Sequence, residues 1–113
     1  MTKRADLIAL YAADLREKCG IEPDMGLLTQ VTIACGPTIY SPDASLVAAE
    51  DPQERRRIRQ NFLSRRLGLR EGPELDEALD AAVETYGPAQ PRKYRAVLYY
   101  LLTVQLGREA AFD

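Results

Sequence analysis

The chain has 113 residues, a formal net charge of −2, two Cys, and neither His nor Trp. That length suits a single domain, and a hydrophobic content of 46% is enough for a small core and too high for a disordered chain. Without His there is no Ser-His or Cys-His nucleophile pair and no His-ligated metal site, and the near-neutral balance argues against bulk attraction to nucleic acid or an anionic membrane.

The punctuation is helical throughout. Gly20, Gly36, Gly68, Gly87 and Gly107 each follow an apolar-periodic stretch, and Pro52, Pro73 and Pro91 each open one. A first helix is predicted over Arg4 to Cys19, with Thr2 as its cap and Leu7, Ile8, Leu10, Tyr11 and Leu15 on its apolar face. A second is predicted over Asp24 to Cys35, on the spacing of Leu27, Leu28, Val31 and Cys35, although Thr29, Val31, Thr32 and Ile33 are β-branched. Gly36 to Glu50 reads as loop, with one short helical turn near Ala44 to Ala49.

The strongest start signal is Asp51-Pro52-Gln53-Glu54: an acceptor at the cap, Pro at the first helical position, and Glu three residues after the cap. That fourth helix is predicted to reach Leu67 and stop at Gly68, with Leu69 making the apolar contact of a Schellman ending. A fifth helix starts at Pro73 and runs to Tyr86; a sixth starts at Pro91 and runs to Leu106. Tyr94, Val97, Leu98, Leu101, Leu102, Val104 and Leu106 cover most of the sixth helix's circumference, which places it centrally in a bundle. A strand over Val97 to Val104 ranks lower, because the stretch lacks period-2 alternation and a partner strand.

Net charge −2 hides large blocks. Pro52 to Arg70 holds seven Arg and one Glu, whereas Glu71 to Pro91 holds six acids and no base, so a +6 helix is followed by a −6 helix. On the acidic helix Leu75, Leu79, Ala82, Val83 and Tyr86 share one face, with Glu77, Asp80 and Glu84 opposite. On the basic helix, Arg55, Arg59 and Arg66 fall within about 40° of each other, between the flanks made by Ile58 with Phe62 and Leu63 with Leu67. Guanidinium groups in an apolar arc must be paired or must line a cleft. Three arrangements follow. Their heads pair with acids of another element, for which Asp14 and Asp43 are the candidates. Or Arg55, Arg59 and Arg66 form a site for a small anion. Or Arg55, Arg56, Arg57, Arg59, Arg65, Arg66 and Arg70 contact nucleic acid, which a pI near 5.2 disfavours.

No motif carries catalysis. Cys19 and Cys35 each sit at a predicted helix C-terminus, where the dipole disfavours a thiolate, and their spacing fits no zinc or redox motif. Acids such as Asp76 and Asp80 on one helix face are what a solvated surface looks like. There is no Gly-rich phosphate loop, and Asp43-Ala44-Ser45 lacks the remaining oxygen ligands of a calcium loop. Tyr99 and Tyr100 are adjacent and cannot share a helix face, so one belongs at an edge or interface. The longest uncharged run, Ala96 to Gly107, is far short of the roughly 20 residues of a membrane span. The basic pair Lys3-Arg4 precedes no long apolar stretch of a secretory leader, and two Cys make no disulfide framework, so a cytoplasmic protein with reduced thiols is expected.

Three segments carry a resemblance: Cys35-Gly36-Pro37-Thr38-Ile39-Tyr40; Asn61-Phe62-Leu63-Ser64-Arg65-Arg66-Leu67-Gly68-Leu69; and Tyr94-Arg95-Ala96-Val97-Leu98-Tyr99-Tyr100-Leu101-Leu102. In this order and spacing the chain resembles the bacterial family called domain of unknown function 2853, from Leu7 to Phe112. The resemblance implies a small bacterial cytosolic domain and brings no catalytic residue, cofactor or partner. Arg55-Arg56-Arg57 is more basic than that resemblance implies.

The expectation is an all-α single domain over residues 1–113, a compact bundle of five or six helices with the C-terminal helix central. The expected function is a non-catalytic, self-associating interaction module, in which the basic helix of one copy meets the acidic helix of another. The alternative is a binder of a small anion at Arg55, Arg59 and Arg66; nucleic-acid binding ranks third, and neither a metal nor a cofactor is expected.

Overall fold

A computed structural model describes residues 3–112; Thr2, the expected cap of the first helix, lies outside them. Helix α1 spans Arg4–Glu17, α2 Met25–Cys35, α3 Pro52–Arg57, α4 Pro73–Tyr86 and α5 Arg95–Gln105. Short 3-10 turns cover Gly36–Tyr40 and Glu109–Phe112, and α3 runs on directly into a π-helical segment, Ile58–Ser64.

Local chemistry starts the helices. The Leu27 N–H donates to Asp24 Oδ1 (3.1 Å) at the head of α2, and the Gln53 N–H donates to Asp51 Oδ1 (2.9 Å) at the head of α3. The β-branched residues of α2 do not break it. Thr29 and Thr32 turn their hydroxyls back to the carbonyls of Met25 (2.7 Å) and Leu28 (2.8 Å), and Val31 is buried.

The fold closes around α5, which packs against α1, α2 and α4. Val97, Leu98 and Leu102 have no exposed surface, and each such side chain contributes about 1.5–3 kcal/mol of burial. Tyr11 and Leu15 of α1, Leu28 of α2, and Leu79 and Tyr86 of α4 complete the same core. Tyr100 points inward, where its hydroxyl accepts the Asp24 N–H (2.8 Å), while half-buried Tyr99 stacks on Phe62 with ring centroids 3.9 Å apart. None of the described helices is long and apolar enough to cross a membrane.

Three local expectations are corrected. Leu10 is exposed, because α1 turns Tyr11, Ala12, Asp14 and Leu15 to the core instead. The short helical turn expected near 44–49 lies earlier: the Ser45 N–H closes a turn on the Ser41 carbonyl (2.9 Å), and the chain then runs beside the approach to α5, with the Val47 N–H donating to the Lys93 carbonyl (2.8 Å) and the Arg95 N–H to that of Ser45 (2.8 Å). The fourth predicted helix is α-helical only to Arg57. Beyond it the Arg65 and Leu67 N–H groups reach five residues back, to Gln60 and Phe62. Gly68, at φ 74°, then reverses the chain so that the Leu69 N–H meets the Leu63 carbonyl (3.0 Å), a ring one residue wider than the Schellman pairing.

Candidate functional site

The front of the basic helix, from α3 into the first residues of the π segment, faces α4. Arg55 Nη2 donates to Asp80 Oδ1 (2.7 Å) and Asp76 Oδ1 (3.2 Å), and Arg59 Nη1 donates to Asp76 Oδ1 (2.8 Å). The +6 and −6 segments therefore oppose each other within one chain. Asp14 and Asp43, the acids expected to meet these arginines, lie elsewhere. Asp14 is buried between Lys18 Nζ (3.2 Å) and the Tyr86 hydroxyl, which donates to it at 2.5 Å, and Asp43 stays exposed in the loop after the first 3-10 turn.

Arg66 does not join Arg55 and Arg59. The wider winding of the π segment rotates its far end, and Arg66 beyond it, away from the register of a regular helix. Arg66 instead lays its guanidinium over the Phe112 ring, 4.7 Å from the centroid. With Arg57, Arg65 and Arg95 it lines a groove of about 600 Å³ between the basic helix and the C-terminal end of α2. Phe62 and Tyr99 lie along the groove, and Cys35, Thr38, Asn61 and Glu54 complete its walls. Among the described residues neither Arg65 nor Arg66 is in an ion pair.

Arg95 is the anchor of this groove. Its Nη2 donates to Glu54 Oε1 (2.6 Å), its Nε to the Ala44 carbonyl (2.9 Å), and its Nη1 to the Tyr99 hydroxyl (3.3 Å). Burial alone would lower the Arg95 pKa, but Tyr99 and Glu54 beside it outweigh that and raise it. Glu54 therefore serves a residue 41 positions away, rather than returning to the cap of its own helix. Sequence reasoning missed Arg57, Arg65 and Arg95 as a set. The signal for Arg95 was faint: it is the one charged residue of α5.

The thiol in the groove is poorly nucleophilic. Burial pushes Cys35 up to about 12 and Cys19 up to about 11, and both thiols are free. Burial likewise pushes Tyr11 up to about 12. An unfolded chain would lose these thiol protons near 9.0, while the folded chain keeps them. Stability contributed by these groups is thus fully present below pH 9.0 and lost as pH rises toward 12. Urea unfolding at pH 7.0, 8.5, 9.5 and 10.5 is expected to give a midpoint that holds to about pH 8.5 and then falls. A midpoint constant to pH 10.5 would contradict the burial of these groups.

No curated protein matches the chain. Against known families, however, residues 10–110 match the one described as protein of unknown function (DUF2853). That match takes in the cap at Asp24, the basic helix, the arginine groove and all of α5. It is on this extent, nearly the whole sequence, that the chain belongs to the DUF2853 family.

Proposed function

We propose that the protein is a non-catalytic binding module for a small anionic ligand, held in the groove by Arg57, Arg65, Arg66 and Arg95. One observation carries the reading: Arg65 and Arg66 line an open groove with no acid partner among the described residues, while Arg55 and Arg59 are neutralised by α4. Planar guanidinium forks suit carboxylate and phosphate, and about 600 Å³ is within the range of small-molecule pockets. The protonated thiol of Cys35 offers no nucleophile there, and Glu54 is engaged by Arg95, which supports binding rather than chemistry. Two free, half-buried thiols fit a cytoplasmic protein.

The test is calorimetric titration and thermal shift with inorganic phosphate, citrate and a mononucleotide. At least one is expected to bind saturably. Arg65→Ala with Arg66→Ala is expected to weaken it about tenfold or more, since each lost charged hydrogen bond is worth ~1.5–3 kcal/mol. Arg55→Ala should leave that affinity unchanged. No saturable binding by any of the three would overturn the reading.

Self-association is a second reading, and a specific observation supports it. Glu74, Glu77 and Glu84 of α4 are exposed and, among the described residues, opposed by no cation of their own chain. These acids and the groove arginines of a second copy have opposite sign. Sedimentation should then give a dimer at low salt that dissociates at high salt; a monomer in both sinks it.

A further inference from the structure

A hollow larger than the arginine groove lies on another face. It measures about 780 Å³ and is lined by Leu7, Ile39, Tyr40 and Pro42, with Lys3, Arg4 and the two serines Ser41 and Ser45 at its polar margin. A smaller hollow of about 250 Å³ shares Arg4, Ile39 and Tyr40, so the Tyr40 ring and the Arg4 side chain stand between two recesses. The 3-10 turn Gly36–Tyr40 sets this arrangement: it buries Ile39 and leaves the neighbouring Tyr40 52% exposed. Among the described residues the Tyr40 hydroxyl makes no hydrogen bond, and neither Lys3 nor Arg4 is in an ion pair, although Asp6 and Asp43 are near in sequence.

We propose that this hollow is a second binding site, for an amphiphilic monoanion: a carboxylate on a medium-length aliphatic chain. The aliphatic chain lies on Leu7, Ile39, Pro42 and the Tyr40 face, and the carboxylate meets Lys3 and Arg4. The charge at the margin selects the sign of the head group, since a neutral or cationic amphiphile leaves both cations unmatched. Size selects a small molecule: the volume lies within the roughly 300–1,000 Å³ of ligand pockets, whereas a stable protein partner covers about 800 Å² on each side, far more than these few residues supply. The site is independent of the arginine groove, with which it shares no lining residue.

The experiment is calorimetric titration of the full chain with sodium octanoate, 1-octanol and sodium acetate. Octanoate is expected to bind saturably. Acetate should show no measurable binding, because each buried methylene is worth roughly fourfold in affinity. Octanol, with the same chain and no charge, should bind about tenfold more weakly. Lys3→Gln with Arg4→Gln should bring octanoate down to the level of octanol, and Tyr40→Ala, an exposed change that leaves the core intact, should weaken both. Arg65→Ala should change neither. The proposal is overturned by an absence of saturable octanoate binding, by equal octanoate affinity in the doubly neutralised variant, or by loss of octanoate binding in Arg65→Ala, which would put the ligand in the groove. It is also overturned by a wild-type dimer that Tyr40→Ala dissociates, since a second copy would then fill the hollow.

Discussion

Replacing Glu54 with Ala is expected to destabilise the protein by about 3–5 kcal/mol, the cost of leaving one member of a buried ion pair alone. Both side chains are enclosed: 10% of Glu54 and 16% of Arg95 remains accessible. Arg95 would keep the carbonyls of Ala44 (2.9 Å) and Leu46 (3.3 Å) but lose the carboxylate it pairs with. Arg57, which also approaches Glu54 at 3.7 Å, reaches into solvent and offers no replacement. Thermal unfolding of Glu54→Ala should show Tm lowered by the order of 15 °C. Glu54→Ala combined with Arg95→Met should recover much of that loss, because an apolar pair of similar volume is tolerated where a lone charge is not. A loss below about 1 kcal/mol in the single variant would mean that the pair behaves as a surface bridge.

Tyr86→Phe is expected to cost about 2–4 kcal/mol, although it deletes a single oxygen. That hydroxyl holds two elements at once: it donates to Asp14 Oδ2 of α1 and accepts the Tyr94 N–H (3.0 Å) at the start of α5. Without it the buried Asp14 carboxylate keeps, among the described residues, only Lys18, whose side chain is a third exposed, and the Tyr94 amide loses its partner. The same carboxylate raises the Tyr86 pKa after burial, so the hydroxyl stays protonated as donor at any ordinary pH. Asp14→Asn, which keeps an acceptor oxygen for Tyr86, should cost less than Tyr86→Phe. Urea denaturation of the two variants reads the difference. Equal stability of wild type and Tyr86→Phe would remove the hydroxyl from the account of how α1, α4 and α5 are joined.

Much of the helical layout was legible because its causes are local. The carboxylates of Asp24 and Asp51 cap, Pro52 and Pro73 open, and Gly68 reverses the chain, each by chemistry spanning a few residues. The central place of α5 followed from apolar residues around its circumference. The arginine site was legible only in part. Counting at about 100° per residue assumes an α-helix throughout, and that assumption fails at Ile58. The wheel therefore grouped Arg66 with Arg55 and Arg59, whereas the π winding carries it to Phe112. Glu54 had the right spacing for a capping box, yet a guanidinium from a distant helix offered a charged partner in a buried setting and took it.

By itself the sequence determined how most helices begin, which one is central, and that seven arginines stand beside six acids; it overran the α-helical part of the fourth helix and started the last at Pro91 rather than Arg95. Only the tertiary structure decided which arginines those acids neutralise and which are left to line a groove. Capping, turn geometry and apolar periodicity are set within one or two turns of chain, but ion-pair partners are chosen by distance in space. Arg55 meets Asp80 across 25 positions of sequence, and Arg65 meets no acid at all among the described residues. Helix winding sets that difference, because it fixes the direction in which each guanidinium leaves its backbone.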